Sequence, residues 1–439
     1  MTEGVFVSAH ALAQAIQQRE VSSVVVVDAY LTRIAYHNPQ LNAVVTLDED
    51  GARRRAQEAD AALGRGEVWG TLHGMPITLE DLHPTSGIRS TWGGLPRFAD
   101  YVPEQDGTVA ARLKAAGAVL LGKTHGPEVW PDSIFARTNN PWDLTRTPGG
   151  SSAGVGAALA AGLTPLDCGG DTLGSVQEPA HYCGVYSMRP TEHRVPLTGM
   201  FFIDSVRKFR VMSTLGPMAR SVEDLRLALG IIAGPDGIDT DVPPVPWKDP
   251  TPNEMRDLRI AWLSAFPEST MQEEIRAAVE GIAKELTRQG VLVEERLPDV
   301  DLKRQYELGQ ELFGLVVSAF EEEGEPRSLD AYLAALDRRD KVMRAWDEFF
   351  ADWDAFLAPA GTRTAKRHEE GDPEPAEEYP YSLSALSGCP MVVIPVGIDQ
   401  QGLPFGLQII GKRWDDERLL DIAESLSELT DGFRRPPGY

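Results

Sequence analysis

Residues 145–191, TRTPGGSSAGVGAALAAGLTPLDCGGDTLGSVQEPAHYCGVYSMRPT, constrain this chain more than any other stretch. Two tight turns, Gly149-Gly150-Ser151-Ser152 and Asp171-Thr172-Leu173-Gly174-Ser175, flank an alanine-rich segment that reads as a short buried helix, followed by the strand-like LDCGG. Glycine turns let backbone N–H groups point into a pocket and leave hydroxyls exposed. Two serines on such turns suggest nucleophilic chemistry at a carbonyl, with an oxyanion hole made from turn amides. Gly-Ser turns are also common without chemistry, so spacing alone leaves a structural role open. A phosphate-cradling loop is excluded, because no Gly-Lys-Ser/Thr follows the glycines. The Gly-x-Ser-x-Gly nucleophile elbow is absent from the stretch as well.

The order RTPGGSSAG, GGDTLGSVQEPA and CGVYSMRPT resembles the signature of the amidase signature family of serine hydrolases. The resemblance continues outward. LHGMPITLEDLHPTSGIRSTWG is similar to the family's G-x-P-x-x-x-K-D stretch, and GAVLLGKTHGPEVW to its G-K-T-N-x-x-E-F stretch. GPMARSVEDLRLAL, CPMVVIPVG and GLPFGLQIIGKRWDDERLLDIA match its later strands and helices. The resemblance implies an α/β amidase-signature fold, a large mixed β-sheet covered by helices on both faces. It implies one domain over 1–439, with core motifs at 70–220 and 380–425 and a variable helical region about 265–355. It implies Ser175 as nucleophile, Ser151 as a bridging serine after a cis peptide with its hydroxyl in hydrogen-bond reach of Ser175, and backbone amides of Thr172, Leu173, Gly174 and Ser175 as the oxyanion hole.

Four positions depart from the family pattern. Its proton-relaying lysine is here Glu80, and Lys123 does not fill the gap because the family keeps a lysine in that second motif too. Leu173 replaces a glycine in the oxyanion loop, Gln177 followed by Glu178 replaces an arginine, and His125 replaces an asparagine. The clustering points to altered or lost chemistry more than to drift. A solvated glutamate, with a pKa of about 4.3, is a weak base. Burial beside hydroxyls would raise it toward neutrality, where it can serve as base and acid. Glu80 is therefore expected close to the Ser151 hydroxyl and screened from water. The expected activity is hydrolysis of a small amide, ester or related compound through Ser175, Ser151 and Glu80. The alternatives are a non-hydrolytic reaction on a carbonyl substrate in the same pocket, or a non-catalytic binding relative. Trp130, Gln177, Glu178, His83 and His181 are candidate substrate contacts, though each histidine reads equally well as a hydrogen-bonded structural residue. Trp92, Phe135 and Met200 are further candidate pocket walls.

Composition narrows the partners. The net charge of −24 carries no general attraction for nucleic acid or an anionic membrane and weighs against work on tRNA. No run approaches a membrane span, and the N-terminus lacks a secretory pattern. Cys168, Cys183 and Cys389 form no CxxC pair and read as reduced thiols of a cytoplasmic protein. No His/Asp/Glu grouping has metal-ligand spacing, so neither metal nor organic cofactor is expected. The expected partner is a small-molecule substrate, and a homodimer is left open.

Along the chain, helices are expected over 8–19 with Ser8 as cap, from Ser22-Ser23 to about His37, over 50–63, at 106–117, and through 268–290 and 303–352. Strands are expected at 72–80 and 118–122. The rings of Trp346, Phe349, Phe350, Trp353 and Phe356 read as packed core, and 362–379 as a solvated loop.

Overall fold

Serine caps start the first two helices where the sequence puts them. Ser8 Oγ accepts from the Ala11 N–H and Ser22 Oγ from the Val25 N–H, both at 3.2 Å. The computed structural model describes residues 4–200, 209–249, 255–318, 328–371 and 373–439. In chain order the elements are α1 (Ala9–Gln17), α2 (Ser23–Leu41), β1 (Val44–Leu47), α3 (Glu49–Gly64), β2 (Pro76–Glu80), α4 (Thr108–Ala115), β3 (Val119–Thr124), α5 (Ala153–Ala160), β4 (Asp167–Asp171), α6 (Gln177–Cys183), β5 (Tyr186–Arg189), β6 (Thr214–Ala219) and α7 (Val222–Ile232). There follow β7 (Arg259–Trp262), α8 (Glu273–Arg288), β8 (Leu292–Glu295), α9 (Leu302–Val317), α10 (Leu329–Phe349), β9 (Ala355–Pro359), α11 (Tyr379–Ser387), β10 (Met391–Ile398), β11 (Pro404–Gly411) and α12 (Asp416–Ser427). The helical pattern expected over 303–352 is two helices, α9 and α10, separated by residues outside the description.

The main sheet has eight strands in the order β4-β6-β5-β10-β11-β9-β7-β8, antiparallel except where β9, β7 and β8 run parallel. Alternation along its strands explains how both faces are covered. On β10, Val392 and Ile394 join one core with α7, α8 and α12, while Met391 and Val393 join another with α5, α6 and α11. On β9, Leu357 takes the first side, and Phe356 and Ala358 the second. The second core also holds Trp346, Phe349, Phe350 and Trp353, so the aromatic group is packed interior.

A separate three-stranded sheet, β1-β3-β2, carries Glu80 at the end of β2. It docks on the edge of the main sheet at β4, where the Thr78 and Thr124 hydroxyls donate to Asp167 Oδ2 at 2.5 and 3.0 Å. Small residues make α5 the wedge between them. A Cβ on Gly154 would lie 2.3 Å from the His125 nitrogen, and one on Gly156 2.9 Å from Pro179 Cβ. The expected solvated loop at 362–379 is a correction in part. Thr362, Thr364 and Ala365 are buried, and the Lys366 carbonyl accepts from the Thr147 N–H at 3.0 Å, which ties this segment to the lead into the first serine turn.

Candidate active site

The Gly150–Ser151 peptide is cis, at the position expected. The Gly150 N–H donates to Glu178 Oε2 at 2.7 Å, and the Ser151 carbonyl accepts from the Glu128 N–H at 2.9 Å. Ser151 and Ser175 both line one cavity of about 290 Å³, together with Gly150, Gly170, Thr172 and Leu173. Among the described residues no hydrogen bond joins the two hydroxyls, which differs from the expected direct contact.

Asp171 shapes the second turn. Its carboxylate accepts from Gly174 N at 3.1 Å and Val176 N at 2.9 Å, and it is held from behind by Arg189, whose Nη1 lies 2.5 Å from Oδ1. Both side chains of that ion pair are fully buried. The Gly174 amide is thereby occupied, which corrects its place among the expected oxyanion donors. The amides of Thr172, Leu173 and Ser175 have no protein partner among the described residues and border the cavity. Leu173 keeps a negative φ, so the loop accommodates a side chain where the family pattern has glycine. That side chain packs toward α9, 3.2 Å from where a Cβ on Gly309 would stand.

Glu80 is completely buried. Its Oε2 accepts from the Ser152 hydroxyl at 2.8 Å and the Gly170 N–H at 2.9 Å. This corrects the expected partner: the carboxylate meets Ser152, not Ser151. Ser152 is the residue before α5 and would ordinarily cap it, but its hydroxyl makes no cap bond and turns to Glu80 instead. Two glycines make the slot, since a Cβ would come within 2.3 Å of Oε1 on Gly126 and 2.9 Å of Oε2 on Gly169. Burial pushes the Glu80 carboxyl up to about 8; the bonds from Ser152 and Gly170 oppose this, while the charges of Asp167 and Asp81 add to it. Oε1 has no hydrogen-bond partner.

Lys123 is also buried, but its Nζ donates to the His83 carbonyl at 2.5 Å and Thr85 Oγ1 at 3.1 Å, not to either serine of the first turn. Desolvation lowers it to about 8 against the pull of Asp81, Asp167 and Glu80.

The candidate substrate contacts divide. Trp130 lines the cavity, as do Trp92 and Met200. Phe135 is not among the lining residues and stacks on His125 at 5.5 Å. His83 is corrected to a structural role. It is buried with Nε2 on the Cys168 carbonyl at 2.9 Å, and burial pushes it down to about 3. His181 is corrected likewise: Nδ1 accepts from the Gly406 N–H and Nε2 faces the Arg363 carbonyl, both at 2.9 Å, and burial lowers it to about 4. Gln177 is buried and donates to the Ala360 carbonyl at 3.0 Å, away from the cavity. Glu178 braces the cis turn through Gly150 and does not line the cavity.

Sequence reasoning missed Ser152, the Asp171–Arg189 pair and the cavity face of α9 formed by Gln310, Phe313 and Val317. The last has a legible signal, since positions 310, 313 and 317 share one side of a helix. The three cysteines are free and buried, and none of the described helices is long and apolar enough to cross a membrane.

Comparison with known proteins agrees with this geometry. The Amidase family profile matches residues 25–308 and 301–420. The A subunit of the glutamyl-tRNA(Gln) amidotransferase from Roseiflexus sp. (strain RS-1) is 34% identical, covering 97% of this chain and 96% of the relative. Among solved structures, 6-aminohexanoate cyclic dimer hydrolase with its substrate superposes with a TM-score of 0.82 at 26% identity, covering 99% of both chains. The corresponding glutamyl-tRNA(Gln) amidotransferase protein of Thermotoga maritima superposes with a TM-score of 0.79 at 26% identity, covering 94% of both chains. The chain belongs to the amidase signature family, enzymes that act on carbon–nitrogen bonds.

Proposed function

We propose that the protein hydrolyses an amide, or an ester of similar shape, through Ser175. The observation that carries this reading is that Ser151 and Ser175 border one cavity beside three backbone amides with no protein partner. Ser175 Oγ attacks the carbonyl carbon, and the resulting oxyanion is received by the Thr172, Leu173 and Ser175 amides. The tetrahedral intermediate expels the amine and leaves an acyl-serine, which water then cleaves to the acid. Ser151 accepts the Ser175 proton once substrate draws the two hydroxyls together, since catalytic hydrogen bonds often tighten only in the complex. Ionised Glu80 is the proton reservoir behind the turn, reached through Ser152, and returns the proton to the leaving amine. Residues 1–439 are read as a single domain, supported by a core that runs from Val5 to Leu426.

A second reading makes the chain one component of a larger assembly, within which it releases ammonia, as the name of the Roseiflexus relative implies for that protein. Labelling with a fluorophosphonate followed by mass spectrometry tests the first step common to both. Adduct on Ser175, lost in Ser175→Ala, supports the hydrolase. An unlabelled Ser175 in folded protein favours a rewired or binding role. Glutamine hydrolysis would favour the assembly reading.

A further inference from the structure

The cavity over Ser175 is walled by rings. Trp92, Trp130 and Phe209 line it together with Phe313 from α9. Trp92 meets Trp130 edge to face at 5.4 Å and Phe209 at 6.0 Å, and the Trp130 Nε1–H donates to the Trp92 carbonyl at 2.9 Å, which fixes the indole. Such edge-to-face sets favour another ring beside them.

The backbone holds this wall in an unusual way. Trp92 has φ 53°, a left-handed conformation that a bulky residue rarely adopts, and Gly93 and Gly94 continue it at 70° and 87°. Asp81 fixes the turn: its carboxylate accepts from the Thr91 N–H at 3.0 Å, the Gly93 N–H at 3.1 Å and the Thr91 hydroxyl. Adjacent carboxylates therefore do different work, Glu80 at the serine turn and Asp81 at the aromatic wall. A bulky residue kept in a sparsely populated conformation by several bonds marks a site where geometry is used.

Charge narrows the ligand further. Glu128 is the one ionisable side chain among the described lining residues. Its oxygens accept from the Thr138 N–H at 3.2 and 3.1 Å, so it is engaged away from the cavity. A ligand carboxylate would find no counter-charge on these walls, and burying it unpaired is costly. At about 290 Å³ the cavity lies at the small end of the range of about 300–1,000 Å³ usual for small-molecule sites.

We propose that this site takes a compact, uncharged amide whose acyl group carries an aromatic ring, and that it excludes amides bearing a carboxylate. The reacting bond rests on the hydrolase reading; the binding preference does not. Calorimetry on full-length Ser175→Ala separates the two, with phenylacetamide, butyramide and glutamine as probes. Phenylacetamide is expected to bind at least tenfold more tightly than butyramide and glutamine. Trp130→Ala in the same background should remove that preference. Phe313→Ser, at a position 36% exposed where the fold tolerates change, should weaken phenylacetamide at least threefold. Binding as expected without ammonia release by the wild-type protein leaves the substrate class standing and overturns hydrolysis. Hydrolysis of glutamine or butyramide at rates equal to or above phenylacetamide overturns the class and leaves the hydrolase standing. Failure of phenylacetamide to bind Ser175→Ala overturns the class outright.

Discussion

The Ser152 hydroxyl donates to Glu80 Oε2 at 2.8 Å in a slot closed to water, so the carboxylate that stands in place of the family's lysine is tied to the second serine of the turn and not to the first. Ser152 also donates its N–H to the Ser175 carbonyl at 3.1 Å. One residue thus touches both the buried acid and the proposed nucleophile's backbone, and a change in the charge of Glu80 is felt one bond from Ser175.

Glu80→Gln keeps the shape and the acceptor for Ser152 but cannot take a proton. Turnover should fall by about 10²–10⁴, the usual size of a general acid–base contribution. Because only the ionised form acts as base, the wild-type rate should rise with pH up to about 8 and then level. Initial rates from pH 6 to 9.5 test this. A wild-type profile that is flat over that range, or full activity of Glu80→Gln, removes Glu80 from the proton path.

The same group makes folding pH-dependent. Its folded pKa is raised from 4.5 to about 8, so the folded state holds the proton more tightly than the unfolded chain. That stability is present in full below about 4.5 and is lost as pH rises through about 8. Melting of wild type and Glu80→Gln should therefore diverge with pH, the glutamine variant gaining relative stability between pH 6 and 9. Parallel melting curves across that window would mean that Glu80 is not desolvated as described.

Much of the scaffold was legible in the sequence. Helix–strand alternation and serine caps located α1 to α4, and the glycine turns marked both serines, because backbone constraints of that kind are local. The partner of Glu80 was not legible. Ser151 and Ser152 are neighbours, and only the path of the turn decides which hydroxyl faces β2. The histidines misled for a similar reason: His83 and His181 sit in motif positions, yet their ring nitrogens are taken up by backbone of distant segments. The occupied Gly174 amide could not be foreseen either, since it depends on Asp171 being fixed by Arg189 from another strand. The α9 face was visible as spacing but had no assigned direction until the cavity existed.

Gly126→Ala should disable the site without touching a polar group. Its Cβ would stand 2.3 Å from Glu80 Oε1 and 2.7 Å from Cδ, so the carboxylate must leave its place opposite Ser152. Overpacking of this kind costs about 1–3 kcal/mol. Gly281→Ala on α8, where nothing lies within 4 Å, is the control and should stabilise by about 0.5–1 kcal/mol through helix propensity. Urea midpoints and turnover of the two variants check this. Normal activity of Gly126→Ala would show that the glycine does not define the slot.

Arg189→Met probes the support of the oxyanion loop. Arg189 pairs with Asp171 with both side chains out of water, and it also donates to the Asp171 and Met212 carbonyls. Removing one member of a buried pair leaves the other charge uncompensated, at a cost of about 3–5 kcal/mol. Asp171 would then turn toward other donors and release the Gly174 and Val176 amides that fix the turn. The variant should lose that stability in urea unfolding. At temperatures where it remains folded, its Ser175 should label with fluorophosphonate at least tenfold more slowly than in wild type. The double variant Asp171→Asn/Arg189→Met removes the stranded charge and should recover part of the stability but not the labelling rate, because an amide cannot accept from both loop N–H groups as the carboxylate does. Recovery of both together would mean that the pair serves the fold alone and leaves the geometry of the turn to its neighbours.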